Sequence, residues 1–582
     1  WDKMIISSGA SVYAPKYADI KDKERELAMS GIGEELLYYK EGIETTVAVK
    51  QRPETGTVVM TVNGKVDASN SGDMYTQLMV GHIPLLVSKN PETAMVIGLG
   101  SGVTLGAAAQ HPSLKNIDCV ELSSAVVEAS EFFRDENRNV LDDKRVNLLV
   151  NDGRNHLATT QKKYVVIISE PSNLWLAGMA NLFSQEFYEL CKKRLADDGV
   201  IIQWVHIYHM SQENLKVVVK TFNSIFPHTT IWYTLLGDLL MLGTHEELEI
   251  DYLELAKRYN IPGVLEDMQR LSIREPLAIL SCYLLDEDGV AKMVSGAEIN
   301  TDDHPILEYS TPRSLYMNTA NANHRMLMTF RNDMFPKMVN FNRERVTGRA
   351  SFWYHMGAAY DFKGVWSEAE KSYKKAISVS PDFAPAYVGL ALLQHRDEKT
   401  SLAIENLKKA IQLDPAEANT YYNLAQMYEE TEKMDKAVEN YRLAIKYSPR
   451  PERYHEKLGD LFMEYDEHEN AVMEYENIKR KDAMLLYKIG LAYKASGKIK
   501  KALQSFENAV KANQNLASVY QELGNLYRQD NQNTKALEAY KKLVELKPYS
   551  RKAHLSLADM YEATGNKKEA EKERRLAVDL ID

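Results

Sequence analysis

The 582-residue sequence predicts two architectures in one chain: an α/β nucleotide-binding domain preceded by a small β-domain, and an all-α superhelix of repeats after it. Two observations support this prediction. Between Ala94 and Glu121, an apolar strand-like run, a glycine-rich turn, a small-residue helix and a second strand follow one another. From Ala350 onward, small and bulky residues recur with a period of about 34 residues.

The glycine turn GLGSG indicates which kind of nucleotide is bound. A dinucleotide fingerprint requires GxGxxG, but after Gly98 and Gly100 the third position is Val103, and the extra glycine is Gly102. NAD is therefore disfavoured. A GxGxG turn with an acid closing the next strand, Glu121, suits an S-adenosyl ligand, because glycines let the backbone approach the ligand's tail and the carboxylate accepts the ribose hydroxyls.

Acids also follow the next two predicted strands. RVNLLV runs into Asn151-Asp152-Gly153-Arg154, and YVVIIS runs into Glu170. Since the carboxyl ends of parallel strands meet at one edge of a sheet, we expect Glu121, Asp152 and Glu170 to line one crevice. The alternative is that each acid caps the following helix or turn, which is the commoner role for a single acid. Three acids in register favour the crevice.

The order of segments GLGSG, VEL, NDGRNHL and VIISEP, followed by LFSQEFYELCKKRLADDGVIIQW, resembles the spermidine synthase family of aminopropyltransferases. The resemblance covers residues 36 to 311 and implies a Rossmann-like S-adenosyl-dependent transferase domain. Upstream, MTVNGK, GDMYTQ and HIP are similar to the family's small β-domain and its entry into the first core helix. The segment SEPSNLW is more similar to a branch of the family in which a membrane segment precedes the synthase-like domain.

In this family an amine attacks the carbon beside a sulfonium, the aminopropyl group of decarboxylated S-adenosylmethionine moves, and methylthioadenosine leaves. The resemblance implies that Glu170 holds the place of the catalytic acid, which positions the amine and accepts its proton. It assigns co-substrate binding to the glycine loop and the strand ends, namely Gly98, Gly100, Ser101, Gly102, Glu121, Asp152 and Gly153.

The sequence departs from the family at Ser101, where the family's GGGDG loop has an acid that recognises the aminopropyl ammonium. Its loss removes one reason to prefer the decarboxylated co-substrate over ordinary S-adenosylmethionine, whose carboxylate an Asp would repel. Methyl transfer therefore stays open, and so does a non-catalytic adaptor on an inherited synthase fold, although the three retained acids favour an enzyme. The family's Tyr-His-Glu reads Tyr75-Thr76-Gln77, which leaves the acceptor amine unassigned.

Six side chains are predicted to contact the substrate: Tyr75, Gln77, Asn173, Trp175, Gln203 and Tyr208. The segment PSNLWLAGMANL after Glu170 is interpreted as a lid, in which Asn173 and Trp175 exclude water. An ordinary loop with Trp175 in its own core explains the same pattern. His206 and His209 have no third ligand nearby, and no metal is expected.

Composition restricts the partners and the compartment. With 71 basic and 82 acidic residues, the net charge of -11 does not suggest a nucleic-acid surface but tolerates a cationic amine. Three cysteines without CxxC spacing predict buried structural thiols in a reducing compartment. No apolar run approaches the length of about 20 residues that spans a bilayer. An S-adenosyl co-substrate predicts the cytoplasmic side, and the family branch implies a membrane tether preceding Trp1.

The repeats resemble seven tetratricopeptide repeats (TPR), which start at Ala350, Ala384, Ala418, Glu452, Ala483, Ala517 and Arg551. Such arrays usually bind a protein partner along the concave face. The alternative is assembly alone, through packing against the synthase-like domain or a second copy in a homo-oligomer. The predicted organisation is an N-terminal segment with a small β-domain at 1–85, the catalytic domain at 86–320, a linker at 321–349 and the repeats at 350–582.

Overall fold

The computed structural model describes residues 3–9, 12–14, 34–42, 45–53, 55–235 and 237–578. The chain divides into two compact units, Trp1–Pro381 and Asp382–Asp582. Much of the predicted N-terminal segment, including residues 15–33, lies outside the described residues. The first described helix is α1, Lys3–Ile6.

A small antiparallel sheet opens the first unit. Its strands pair in chain order and are β1 Glu35–Glu41, β2 Thr46–Arg52, β3 Thr57–Val62 and β4 Lys65–Ser69. Asn63 and Gly64 link β3 to β4 with φ values of 51° and 77°, the left-handed backbone of a tight hairpin turn. Val49 and Met60 are buried in one cluster with Phe133 from the larger domain. The predicted small β-domain is confirmed.

The central sheet has eight strands in the order β13-β10-β11-β9-β8-β5-β6-β7. Their bounds are β5 Thr93–Ile97, β6 Asn116–Glu121, β7 Val146–Val150, β8 Tyr164–Ser169, β9 Leu195–His206, β10 His228–Tyr233, β11 Asp238–Thr244 and β13 Tyr283–Leu285. The five strands from β7 to β9 are parallel, and the other neighbours are antiparallel. Strand order reverses at β5, so the loop after β5 lies where open α/β sheets bind ligands. The Rossmann-like prediction is confirmed.

Helices lie between and after these strands along the chain, and several of them pack on the sheet. They are α2 Met74–Val87, α3 Val103–Ala109, α4 Ser124–Ser130, α5 Gly153–Thr159, α6 Gln185–Arg194, α7 Gln212–Ile225, α8 Tyr252–Tyr259, α9 Pro262–Arg270, α10 Glu287–Met293, α11 Ile306–Ser310, α12 Ala320–Met328 and α13 Arg343–Thr347. Strands β12 Ile250–Asp251 and β14 Met338–Val339 form a separate parallel pair. Every residue of α2 is buried, so its apolar side chains are not confined to one stripe, and Thr76, Gln77 and His82 are buried among them. All three cysteines are free and buried.

Seven helix pairs follow in the described residues. The first helices are α14 Ala350–Phe362, α16 Ala384–Arg396, α18 Ala418–Glu430, α20 Glu452–Glu464, α22 Ala483–Ala495, α24 Ala517–Gln529 and α26 Arg551–Ala563. Their partners are α15 Trp366–Val379, α17 Thr400–Leu413, α19 Met434–Tyr447, α21 His468–Glu476, α23 Ile499–Ala512, α25 Asn533–Leu546 and α27 Lys567–Val578. Each first helix begins at the residue that the repeat pattern predicts.

Packing explains the recurring small residue in each repeat. A Cβ atom added to Gly490 would lie 2.4 Å from the ring of Phe506, and one added to Gly524 would lie 2.6 Å from the ring of Tyr540. The second helix of each of these pairs therefore presses an aromatic ring against the backbone of the first. The helical-repeat prediction is confirmed, and the first pair, α14 and α15, lies within the first compact unit. None of the described helices is long and apolar enough to cross a membrane.

Candidate active site

A cavity of about 1150 Å³ lies at the carboxyl edge of the parallel strands in the first unit. Ten of the predicted site residues line it: Gln77, Gly98, Gly100, Ser101, Glu121, Asp152, Gly153, Glu170, Trp175 and Tyr208. The three strand-end acids therefore share one crevice. Four predicted residues lie outside the lining: Tyr75, Gly102, Asn173 and Gln203.

The glycine loop after β5 adopts a backbone that side chains would obstruct. Gly98, Gly100 and Gly102 have φ values of 94°, 53° and 82°. A Cβ on Gly98 would lie 2.7 Å from the Glu170 carbonyl oxygen, and one on Gly102 would lie 3.0 Å from Asn137 Nδ2. Apart from its chain neighbours, no described residue has an atom within 4 Å of a Cβ built on Gly100. The loop is thus packed at two glycines and open at the third, which leaves room for a ligand to approach the backbone.

Glu121 and Asp152 are held by backbone amides. Glu121 is 8% exposed, and its two oxygens accept N–H groups from Leu99 at 2.8 Å and Ser123 at 2.9 Å. Asp152 caps α5 by accepting the Asn155 N–H at 2.7 Å. Both interpretations therefore apply, because each acid accepts a local backbone N–H group and also lines the cavity. Each carboxylate oxygen has two lone pairs, so a capped carboxylate can still accept a ligand hydroxyl or amine.

Glu170 directly follows β8 and faces the cavity. Burial raises the pKa of its carboxyl to about 7, although a hydrogen bond from Thr104 opposes the shift. The negative charges of Asp73 and Asp238 raise the pKa further. A carboxylate with a pKa near neutrality can both accept and release a proton at physiological pH.

These two neighbouring acids, Asp73 and Asp238, were not predicted from the sequence as site residues. Asp73 immediately precedes α2, and its Oδ2 accepts from the Ser69 N–H and from Gln77 Nε2, both at 2.8 Å. Asp238 begins β11, and its Oδ2 accepts from Thr76 Oγ1 at 2.7 Å. Burial raises the pKa of Asp73, and it raises that of Asp238 to about 6. Asp238 follows no parallel strand, so the strand-end signal could not find it.

The cations of the cavity wall are neutralised, whereas these acids are not. Lys65 Nζ lies 2.8 Å from Asp67 Oδ1, and Arg154 donates to Asp302 at 2.9 Å. Within the described ranges, no lysine, arginine or histidine forms an ion pair with Asp73, Glu170 or Asp238. The charge of Lys65 lowers the pKa of Asp73 and of Asp238 without forming an ion pair with either, so the cavity contains negative charge that is only partly compensated, which suits a cationic ligand.

Ser101 is connected to one of these acids. Its hydroxyl donates to Gln77 Oε1, and the Nε2 of the same glutamine donates to Asp73. Gln77 is 6% exposed and is held between the glycine loop and the start of α2. A carboxylate thus lies one side chain away from the position where the resembled family has an acid.

Trp175 both packs and faces the cavity. It is 8% exposed and makes edge-on contacts with the rings of His206 at 4.5 Å and Tyr208 at 5.7 Å. Its Nε1 has no hydrogen-bond partner in the described part of the chain. Asn173 lies behind it and donates from Nδ2 to the Tyr208 hydroxyl at 3.0 Å. In the segment after Glu170, Asn173 is therefore held by Tyr208, and Trp175 lines the cavity.

The other predicted residues outside the lining make buried contacts. The Tyr75 hydroxyl lies 3.4 Å from Cys282 Sγ, and Gln203 Nε2 donates to the Leu182 carbonyl at 3.3 Å. Gly102 directly precedes α3 at the end of the glycine loop. These positions place the residues behind the wall, where they support the residues that line it.

Both ring nitrogens of His206 contact backbone groups of the fold. Its Nδ1 lies 2.8 Å from the Tyr208 carbonyl, and its Nε2 accepts the Leu174 N–H at 3.1 Å. Burial lowers its pKa to about 3, so the ring is neutral. Among the described residues, no group of three or more His, Cys, Asp or Glu side chains is arranged to hold a metal ion.

Comparison with known families agrees with this geometry. Residues 73–242 match the family model for a spermine/spermidine synthase domain. Tetratricopeptide repeat models match residues 350–383, 418–451, 487–550 and 522–580, and a further TPR model matches 398–432.

Among curated proteins, a polyamine aminopropyltransferase of Bacillus mycoides is 30% identical over 174 residues, which are 30% of this chain and 63% of the relative. This chain thus spans less than two thirds of that relative. A polyamine aminopropyltransferase 1 of Pseudomonas aeruginosa is 27% identical over 240 residues, 40% of this chain and 84% of the relative.

Two solved structures are also similar. One is a spermidine synthase in complex with the transition state analogue AdoDATO, 20% identical, with a TM-score of 0.37 and coverage of 44% of this chain and 88% of that chain. The other is spermidine synthase from Thermotoga maritima, 20% identical, with a TM-score of 0.36 and coverage of 44% and 87%. By its family matches, the chain contains a segment similar to a spermine/spermidine synthase domain, followed by segments that match tetratricopeptide repeats.

Proposed function

We propose that the first unit transfers an aminopropyl group from decarboxylated S-adenosylmethionine to an amine acceptor. The observation that carries the proposal is a set of three carboxylates, Asp73, Glu170 and Asp238, that form no ion pair within the described residues and lie beside an open glycine loop. Both the aminopropyl tail and the acceptor amine are cations in water. Carboxylates without an ion-pair partner attract them and disfavour a tail that carries a carboxylate.

In this proposal, the nucleoside half of the co-substrate lies along the strand ends. Gly98 and Gly100 let the tail approach the backbone, Glu121 accepts the ribose hydroxyls, and Asp152 with Gly153 lies against the adenine. The support for this placement is that Glu121 and Asp152 are already oriented by backbone amides, so binding would not need to order them.

Asp73 compensates for the serine at position 101. The hydrogen-bonded series from Ser101 through Gln77 to Asp73 brings a carboxylate to the same corner of the cavity. The aminopropyl ammonium would bind there, which retains the preference for the decarboxylated co-substrate that a serine alone would not provide.

Glu170 acts on the acceptor. The amine lone pair forms a bond to the aminopropyl carbon, the carbon–sulfur bond breaks, and its electron pair returns to sulfur to give neutral methylthioadenosine. The proton lost from the amine passes to Glu170, whose pKa near 7 suits a general base. Asp238 holds the acceptor's charge, and Trp175 closes over the reacting atoms and excludes water.

Methyl transfer from ordinary S-adenosylmethionine is the second candidate, and Ser101 is the observation that favours it. Calorimetric titration of the full chain with S-adenosylmethionine, its decarboxylated form and methylthioadenosine separates the two. Tightest binding of the decarboxylated form supports aminopropyl transfer, and a preference for the carboxylated form supports methyl transfer. Binding of none of the three would overturn both proposals and favour a non-catalytic adaptor.

The repeats provide a protein-interaction module, and we propose that they bind a partner through the first helices of the second unit. Side chains on these helices already bridge neighbouring repeats: Lys488 contacts Glu456 and Asp460, and Lys494 contacts Glu522. Such bridges stiffen the array and preorganise it for a partner. Because the proposed co-substrate is an S-adenosyl compound, we propose the cytoplasmic side for the transfer reaction. Pull-down with and without Lys488→Met tests the surface.

A further inference from the structure

The residue that follows the first repeat helix connects this helix to the proposed transferase fold. Lys363 follows α14 and is only 3% exposed. Its Nζ donates to the Ser281 carbonyl at 2.6 Å and to the Tyr233 carbonyl at 3.1 Å, and it lies 3.7 Å from Cys282 Sγ. One ammonium group thus joins the repeat helix to β10 and to the entrance of β13.

The ammonium is buried without a carboxylate partner in the described part of the chain. Its Nζ lies 5.3 Å from the centre of the Tyr360 ring and 5.8 Å from that of Tyr233, which adds cation–π attraction. Burying a lysine in this way costs free energy, and burial lowers its pKa. The compensation is that its ammonium donates hydrogen bonds to two backbone carbonyl groups.

The strand that Lys363 holds leads directly into the cavity wall. Tyr233 ends β10, and the next residue, Thr234, forms a hydroxyl contact of 3.0 Å with Thr76. Thr76 donates to Asp238, and the Thr234 N–H donates to the Asp238 carbonyl at 3.3 Å. A shift of Tyr233 would therefore reach the Asp238 carboxylate through two short hydrogen-bonded steps.

The same helix also touches the start of α2. The ring of Phe362 lies 5.7 Å from that of Tyr75, and the Tyr75 hydroxyl contacts Cys282. Tyr75 is followed by Thr76 and Gln77, which both line the cavity. The first hairpin, residues 350–379, thus contacts α2, which follows Asp73, and β10, which pairs with the Asp238 strand β11.

We propose that the first repeat hairpin is a working part of the transferase, with Lys363 as a positioning residue that fixes Asp238 and Thr76 for the acceptor amine. The kinetic part of this inference rests on the proposed function. Because the strand-end acids Glu121 and Asp152 are held by other backbone groups, Lys363 should affect the acceptor and leave the nucleoside site unchanged.

The test uses the full chain with Lys363→Met, which keeps the aliphatic stem and removes the donors. The control is Lys371→Met on the exposed face of the same hairpin, where the lysine forms an ion pair with Glu368. We expect faster amide hydrogen exchange in residues 231–242 for Lys363→Met alone. We also expect KM for the acceptor amine to rise about tenfold, with methylthioadenosine affinity unchanged within about twofold. Exchange and acceptor KM equal to the control would overturn the inference.

The exchange readout does not depend on turnover. If the unmodified chain transfers no aminopropyl group, the proposed function fails, while exchange in residues 231–242 still decides whether Lys363 positions this segment. If Lys363→Met does not fold, Phe362→Ala takes its place, because this side chain is half exposed. The inference then requires faster exchange in residues 74–78, and unchanged exchange there would overturn it.

Discussion

The two walls of the cavity are built in different ways. The wall that we propose for the nucleoside, here the nucleoside wall, comes from consecutive strand–turn–helix units between Ile97 and Gly153, and its acids, Glu121 and Asp152, accept backbone N–H groups. The wall that we propose for the acceptor, here the acceptor wall, combines Asp73, Glu170 and Asp238 from three distant parts of the chain. Burial raises the pKa of all three acids, as it does for Glu121, but among the described residues only Asp73 of the three accepts a backbone N–H group.

This difference separates binding from chemistry. Acids fixed by backbone amides are prepared to recognise a neutral nucleoside, and their loss should weaken its affinity. The carboxylates of Glu170 and Asp238 accept no backbone N–H group in the described part of the chain and are destabilised until a cation arrives, so their loss should act on the acceptor and on turnover. Substitutions on the two walls should therefore separate in the kinetic constants that they change.

Glu170→Gln tests the acceptor wall with the largest expected effect. The amide cannot accept the proton, so kcat should fall about a thousandfold, while methylthioadenosine affinity stays nearly intact. Glu189→Gln, on an exposed position of α6, is the control and should leave both quantities unchanged. Unchanged turnover for Glu170→Gln would eliminate the proposed base.

Asp238→Asn tests whether the acceptor wall extends beyond the strand ends. It removes one negative charge and keeps an acceptor for Thr76, so kcat/KM for the amine should fall about thirtyfold. Asp197→Asn, exposed at the start of β9, is the matched control. If steady-state kinetics show only a weakened co-substrate affinity, Asp238 belongs to the nucleoside wall, and the proposed division between the two walls is wrong.

Glu121→Gln tests the nucleoside wall. One oxygen can still accept the Leu99 or the Ser123 amide, but the ribose hydroxyls lose an anionic acceptor, so the Kd of methylthioadenosine should rise about tenfold by calorimetry. KM for the amine at saturating co-substrate should not change. A change in amine KM of the same size would mean that the two walls are coupled.

The pH dependence of Glu170 sharpens the contrast further. Since its pKa is raised to about 7, kcat/KM should fall as the pH drops below that value, because the carboxyl becomes protonated and cannot accept a proton. Glu121→Gln should keep the same pH profile with a lower maximum. A profile that is flat between about pH 5 and pH 8 would contradict the role of Glu170.

The raised pKa of Glu170 has the opposite pH dependence for stability: it favours the folded state at low pH, where it reduces kcat/KM. The folded state binds the proton more tightly than the unfolded state, whose pKa is about 4.3. The contribution of Glu170 to the free energy of unfolding is therefore full below that value and is lost as the pH rises through about 7. Glu170→Gln should raise Tm relative to the unmodified chain at about pH 8 and not at about pH 4, as differential scanning calorimetry would measure.

Sequence reasoning could locate the nucleoside wall because its signals are local. Strand, glycine turn, helix and acid follow one another within one βαβ unit, and the repeat starts follow from a fixed period. It could not locate Asp238, which reaches the cavity because an antiparallel strand inserts beside β9. Nor could it place Tyr75 and Gln203 behind the wall, since which face of a fully buried helix or central strand meets the cavity is set by tertiary packing.

Trp175→Phe is the smallest and most discriminating change. Phenylalanine keeps an aromatic edge against His206 but removes the unpartnered Nε1 and part of the ring that lines the cavity. If this residue excludes water from the reacting sulfonium, turnover should fall about threefold while Tm stays nearly constant. Losses of comparable size in turnover and in stability would assign Trp175 to the loop's own core. The acceptor wall would then consist of its carboxylates and their hydroxyl partners, without a lid.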